Sequence, residues 1–124
     1  MVIGGLFALM AVMAGAFGAH SLRGVVDGRG LEIFQTGANY QMYHALALIL
    51  VSVLSGFSLP RRPLNLAGVF FAAGILLFSG SLYLMVLTQS PALGAITPIG
   101  GVCFIVGWVL VVITGLSAPK SPEE

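Results

Sequence analysis

The charged residues of this chain are few and clustered, and their spacing most constrains its fold. Nine charged residues leave three uncharged stretches, 1–22, 33–60 and 63–119, of 22, 28 and 57 residues. A helix needs about 20 mostly apolar residues to cross a bilayer, so the first two stretches hold one span each and the third has room for two. The pattern predicts an all-α integral membrane bundle of four transmembrane helices.

Composition supports a lipid environment and excludes several functions. The chain is 58% hydrophobic and 7% charged, whereas a soluble domain carries about 45–50% apolar and roughly 25% charged residues. A net charge of +1 gives no basic surface that could neutralise phosphates, which excludes nucleic acid as a partner. The single cysteine excludes a disulfide framework and a multi-cysteine metal site.

Turn residues divide the uncharged stretches into spans. Glycines and acids in 21–32, the run LPRRP at 59–63 and two prolines in QSPALGAITP at 89–98 mark three loops. No basic residue precedes the first apolar run, so it is interpreted as a retained span and not a secretion signal. The sequence predicts one domain, 1–117, and a polar disordered tail, 118–124. Its predicted spans are 2–20, 36–57, 64–88 and 98–116.

The loops also predict an orientation. With four spans both termini share one side, together with Arg61, Arg62 and Lys120, while Arg23 and Arg29 lie on the other side. Three basic residues against two favour cytoplasmic termini in a bacterial inner membrane. Insertion in both orientations remains an alternative.

Small residues predict where the helices pack. Helices associate in lipid by close backbone approach, which small side chains permit. Trp108 falls in the last helix, where its N–H needs a partner, so we expect it to face protein or a neighbouring subunit. These features favour a homo-oligomer or a larger membrane complex. The predicted packing or interface residues are Gly15, Gly18, Gly80, Gly100, Gly101, Gly107 and Trp108.

Polar residues map to the end of the bundle that holds the first and third loops. Polar groups at membrane depth must be paired, so the sequence predicts a shared hydrogen-bond network there. His20 and His44 are expected at similar depth on antiparallel neighbours and could meet. The candidate ligand or network residues are His20, Asn39, Tyr40, Gln41, His44, Ser79, Ser81, Tyr83 and Thr97.

Two histidines also permit other interpretations. A metal site, a haem held by both histidines or a proton relay would use the same pair. Each lacks further ligands, since only Asp27, Glu32 and Cys103 are available near them. The favoured interpretation is a structural network with no metal and no cofactor.

Four motifs carry a resemblance across about residues 4–116. They are GAFGAHSL at 15–22, F-x-TG-x-x-YQMYHALAL at 34–48, FSGSLYL at 78–84 and ITPIGG-x-x-F-x-x-GW at 96–108. The sequence resembles the YgdD-like family of small bacterial membrane proteins, a domain of unknown function related to a small eukaryotic transmembrane protein. The resemblance implies a four-helix inner-membrane protein and no reaction.

Two functions remain for a chain of this kind. The first is a non-enzymatic protein that acts by association, as a homo-oligomer or an accessory subunit. The second is a channel or carrier for a small solute, working as a homo-oligomer. No Asp, Glu, Lys or Arg lies inside a predicted span, which argues against a small ion-coupled multidrug antiporter.

Overall fold

The structure is a computed structural model that describes residues 1–119, and these form four helical segments. They are α1 (Val2–His20), α2 (Gly28–Leu54), a third segment made of α3 (Arg61–Gly74), a π-helical turn (Ile75–Ser79) and α4 (Gly80–Thr88), and α5 (Thr97–Leu116). A short 3₁₀ helix, Pro91–Ala95, precedes α5. The described residues contain no β-strand beyond an isolated bridge between Arg23 and Val26. Of the predicted disordered tail, residues 120–124 lie outside the described part of the chain.

The second helix begins earlier than the sequence predicted. Residues 21–32 were expected to form a loop, but α2 begins within them, at Gly28. Asp27 is the reason, because its Oδ1 accepts a 2.7 Å hydrogen bond from the Gly30 N–H and caps the first turn. The glycines that suggested a turn are therefore part of the helix start.

Three helical segments are long and apolar enough to cross a membrane. They are Val2–His20, Arg61–Thr88 and Pro91–Leu116, with mean hydropathies of 2.1, 2.1 and 2.5. Although α2 has 27 residues, its first two thirds carry polar side chains such as Asn39, Gln41 and His44, which lower its mean hydropathy. The described chain is thus an all-helical protein with three apolar candidate spans.

The helices pack antiparallel through glycines. On α1, the buried residues Gly4, Ala11 and Gly18 recur every seven positions and face α2. A Cβ built on Gly4 would lie 2.9 Å from the Ala45 carbonyl oxygen, and one on Gly18 would lie 2.9 Å from Phe34 Cδ1. The α1 helix therefore runs against α2 at the distance that only glycine allows.

The α5 helix packs on the third segment in the same way. A Cβ on Gly107 would lie 2.6 Å from Phe71 Cε1, and one on Gly100 would overlap the backbone of Phe78. The other predicted packing glycines are looser: Gly15 and Gly101 have their nearest neighbours at 3.8 and 3.9 Å, and Gly80 has none within 4 Å. Close packing therefore selects Gly18, Gly100 and Gly107 from the predicted set.

The core lies between α2, the third segment and α5. Its larger cluster contains Val51, Leu64, Phe71, Ile75 and Phe104, of which Leu64 and Phe71 are fully buried. A smaller cluster near the first loop joins Leu22, Phe34 and Val86. Side chains fill the centre of the bundle, so the polar groups described next are set into an apolar interior.

Candidate functional site

His44 joins α2 to α5 through both of its ring nitrogens. The Trp108 Nε1–H donates to His44 Nε2 at 3.1 Å, and His44 Nδ1 lies 2.7 Å from the Tyr40 carbonyl oxygen. A carbonyl only accepts and an indole N–H only donates, so the proton must lie on Nδ1 and the lone pair on Nε2. The two partners therefore fix His44 as a neutral imidazole in one tautomer.

Aromatic rings surround this histidine. The Phe104 ring stacks on the imidazole with centroids 3.5 Å apart and planes inclined by 7°, and the Phe71 centroid lies at 5.7 Å. His44 is 5% exposed. The ring is thus enclosed by protein, and neither nitrogen has a free lone pair for a metal ion while these two bonds hold.

A second polar group, Gln41, joins three helices. Its Nε2 donates to the Phe7 carbonyl oxygen of α1 at 2.8 Å, and its Oε1 accepts a 2.7 Å bond from the Tyr83 hydroxyl of α4. Gln41 is 3% exposed. A Cβ on Gly37 would lie 2.9 Å from Tyr83 Cε1, so this glycine makes room for the tyrosine ring to reach Gln41.

Two buried serines on the third segment differ in their partners. Ser81 Oγ lies 2.6 Å from Thr97 Oγ1 at the start of α5 and donates to the Phe78 carbonyl at 2.9 Å. Ser79 is fully buried, and within residues 1–119 its hydroxyl has no hydrogen-bond partner. This serine ends the π-helical turn, where the Ile75 carbonyl accepts from the Gly80 N–H.

The network extends further into the bundle than the sequence predicted. It was expected at the end of the bundle near the first and third loops, but Gln41 and His44 lie 13 and 16 residues after the start of α2 at Gly28. At 1.5 Å per residue His44 is about 24 Å along the helix. For His44 the earlier start of α2 is the cause. Tyr83 and the pair of Ser81 and Thr97 lie nearer the predicted end, since Tyr83 and Ser81 are five and seven residues before the end of α4 at Thr88.

His20 and His44 do not meet. Gly18 lies against Phe34 and Gly4 against Ala45, so His20 falls near the level of residue 32 on α2. The two histidines are therefore about twelve residues, or roughly 18 Å, apart along the axis. His20 is exposed, and the prediction that the pair could share a site is wrong.

The remaining candidates are placed as follows. Asn39 is exposed, and Tyr40 contributes its carbonyl to His44 while its ring is 40% exposed. No group of three or more His, Cys, Asp or Glu side chains within residues 1–119 could hold a metal ion. The sequence analysis missed Phe104 and the Phe7 carbonyl, because nothing in an apolar helix distinguishes a stacking ring or an acceptor from packing.

Comparisons with known proteins agree with a membrane protein. The family described as "Protein of unknown function (DUF423)" matches residues 14–101. A UPF0382 membrane protein of Staphylococcus aureus (strain bovine RF122 / ET3-1) is 50% identical over 113 residues, 91% of each chain. The UPF0382 membrane protein YwdK of Bacillus subtilis (strain 168) is 45% identical over 116 residues, 94% of each chain. No solved structure matches the chain.

Proposed function

Since the chain belongs to the DUF423 family, whose function is unknown and whose relatives are named membrane proteins, we propose that it acts by association. It is a non-enzymatic inner-membrane protein that crosses the bilayer four times, with both termini in the cytoplasm. It works as a homo-oligomer or as an accessory subunit of a larger membrane complex. The narrower resemblance to the YgdD-like proteins stays a prediction.

The fourth span in this proposal is α2. Its 27 residues correspond to about 40 Å of helix, which exceeds the hydrocarbon thickness of about 30 Å. Gln41 and His44 are bonded to other helices, so their polar groups do not require water. Polar side chains inside spans face the bundle interior and pair there, which is how these two are arranged.

The observation that most supports association is the exposure of α1. Its close contacts are with α2, and 17% of its most apolar stretch is buried, against 39% for Arg61–Thr88. The α5 helix is also an outer helix, and both helices expose large apolar side chains, such as Leu9 and Met13 on α1 and Ile105 on α5. On α1, one flank of the exposed surface also carries the small residues Gly5, Ala16 and Ala19, and small residues let a second helix approach closely. The outward residues we assign to this face are Gly5, Val12, Ala16 and Ala19.

Cysteine cross-linking in native membranes tests this face. The native Cys103 is first replaced by alanine, and a single cysteine is then placed at Ala16. We expect mild oxidation to give a cross-linked dimer, or a larger adduct if the partner is another protein. A cysteine at Val109, which is also exposed but lies on α5, is the matched control and should stay monomeric. Monomer alone at both positions, at native expression, would contradict association through α1.

A topology measurement tests the remaining part of the proposal. Membrane-impermeant labelling of cysteines added at the two ends should modify both from the cytoplasmic side only. Labelling from both sides would instead show dual insertion and would favour an antiparallel dimer. The channel or carrier alternative has weaker support, because Leu64, Phe71 and Phe104 fill the centre of one copy.

A further inference from the structure

A groove between α2 and α5 opens on the outer surface of the bundle. It has a volume of about 650 Å³, within the roughly 300–1,000 Å³ of small-molecule sites. Its walls are largely aromatic and it extends from Pro98, at the start of α5, to Trp108 near the middle of that helix. The residues that matter below are Tyr40, Tyr43, His44, Gly101, Phe104 and Trp108.

The aromatic rings at the groove differ in how far they reach its surface. The Tyr40 ring lies 6.3 Å from Phe104 with planes inclined by 30°, and 4.8 Å from Phe78 with planes inclined by 31°. Phe104 is in turn stacked on His44. Phe104 is 4% exposed and Tyr40 is 40% exposed, so Tyr40, backed by Phe78, is the ring that offers its surface to a planar conjugated ligand.

The polar groups of the groove specify hydrogen-bond acceptors on the ligand. The His44 Nδ1–H is used on the Tyr40 carbonyl, and the Trp108 Nε1–H is used on His44 Nε2. The hydroxyls of Tyr40 and Tyr43 have no partner within the described residues. Tyr43 lies about 16 Å or more from either end of α2, so its O–H cannot rely on water at the helix ends. A ligand carbonyl would satisfy it.

No charged side chain lines this groove, so its occupant is neutral. We propose that it binds the head group of a lipid-soluble quinone, a neutral planar ring with two carbonyl acceptors whose apolar tail remains among the lipid chains. The ring stacks on Tyr40, and Tyr43 donates to a carbonyl. The proposal concerns binding alone, and it assumes that α2 and α5 are embedded in the bilayer.

The single tryptophan of the chain provides the measurement. Trp108 is the only tryptophan and lines the groove, and quinones quench tryptophan emission on contact. The full chain in lipid nanodiscs is titrated with menadione, a naphthoquinone. We expect saturable quenching, whereas a tryptophan ester in empty nanodiscs should show only the linear quenching of partition into lipid. Linear quenching of the protein as well would overturn the proposal.

Two pairs of variants locate the site. Tyr43→Phe removes the groove hydroxyl and should weaken binding by about threefold to tenfold, the value of one hydrogen bond. Tyr83→Phe also removes a tyrosine hydroxyl, but one bonded to Gln41 away from the groove, and should leave the affinity unchanged. Gly101→Leu should fill the groove and abolish saturation, whereas Gly115→Leu, on the same helix but outside the groove, should not.

The ligand class is tested separately. Methylnaphthalene has the same rings as menadione without the carbonyls, and we expect it to compete poorly. Equal competition would show that the groove holds any flat apolar molecule and would overturn the assignment to a quinone. Saturable quenching that survives Gly101→Leu would place the ligand elsewhere and would equally contradict the proposal. Because the cross-linking at Ala16 does not involve this groove, failure here leaves the association proposal standing.

Discussion

The indole N–H of Trp108 donates a 3.1 Å hydrogen bond to Nε2 of His44. Within residues 1–119 it is the one side-chain hydrogen bond between α2 and α5, and it acts beside the stack of His44 on Phe104. The two contacts together fix how these helices face each other. If the His44 acceptor is removed, the Trp108 N–H is left without a partner in an apolar interior.

The stability of His44 variants should therefore depend on whether the new side chain keeps that acceptor. His44→Leu leaves the Trp108 N–H without a partner and should lower the free energy of unfolding by about 1–3 kcal/mol. His44→Gln keeps an acceptor and should lower it less, although the stack on Phe104 is lost. Thermal melting in detergent gives the order, and the emission of Trp108 reports the change around the indole.

The control for this series is the other histidine. His20 is exposed at the end of α1, so His20→Leu should change stability by no more than about 0.5 kcal/mol. Equal melting temperatures for the unmodified protein and all three variants would show that His44 is not in a buried contact. A stoichiometric metal or a Soret band in the unmodified protein, lost in both His44 variants, would indicate a ligand role instead.

The sequence predicted the helices better than the contacts between them. Uncharged length predicted four spans, because the bilayer requirement is one-dimensional, and three of them correspond to apolar candidate spans in the structure. The depth of His44 could not be predicted in this way, because it depends on where α2 starts. That start is set by Asp27, which caps the first turn, whereas the glycines of this segment had suggested a loop. Gln41 was recognised as polar and in need of a partner, but its acceptor is a carbonyl of α1, which no residue type reveals.

Gly100 and Gly101 are neighbours with different surroundings, and this predicts opposite tolerance to alanine. A Cβ on Gly100 would overlap the backbone of Phe78, whereas one on Gly101 would lie 3.9 Å from Phe78 Cδ2. Backbone cannot move aside as a flexible side chain can, so Gly100→Ala should destabilise the protein by about 1–3 kcal/mol. Gly101→Ala should stay within about 0.5 kcal/mol. Equal melting temperatures for the two variants would contradict the packing of α5 on the π-helical turn.

The bond between Tyr83 and Gln41 predicts a measurable coupling between α4 and α2. Tyr83→Phe removes the 2.7 Å bond to Gln41 Oε1 and should lower the free energy of unfolding by about 1 kcal/mol. Gln41→Leu removes this bond and the one to the Phe7 carbonyl, so it should lower stability more. The double variant should lose less stability than the sum of the losses of the two single variants, because both substitutions remove the same bond. Full additivity would show that the pair does not interact.

Ser79 and Ser81 give a prediction of opposite sign for the same substitution. Ser81→Ala loses the bond with Thr97 Oγ1 and should lower the free energy of unfolding by about 1 kcal/mol. Ser79 is buried with no partner for its hydroxyl within residues 1–119, and an unsatisfied buried hydroxyl opposes folding by about 1–3 kcal/mol. Ser79→Ala removes that group with little change in volume, so it should leave stability unchanged or raise it. Melting curves of the two variants, taken in the same detergent, compare them directly. If Ser79→Ala is as destabilising as Ser81→Ala, the Ser79 hydroxyl must bond to a buried water or another molecule beside the π-helical turn, since no residue of the described chain supplies the partner.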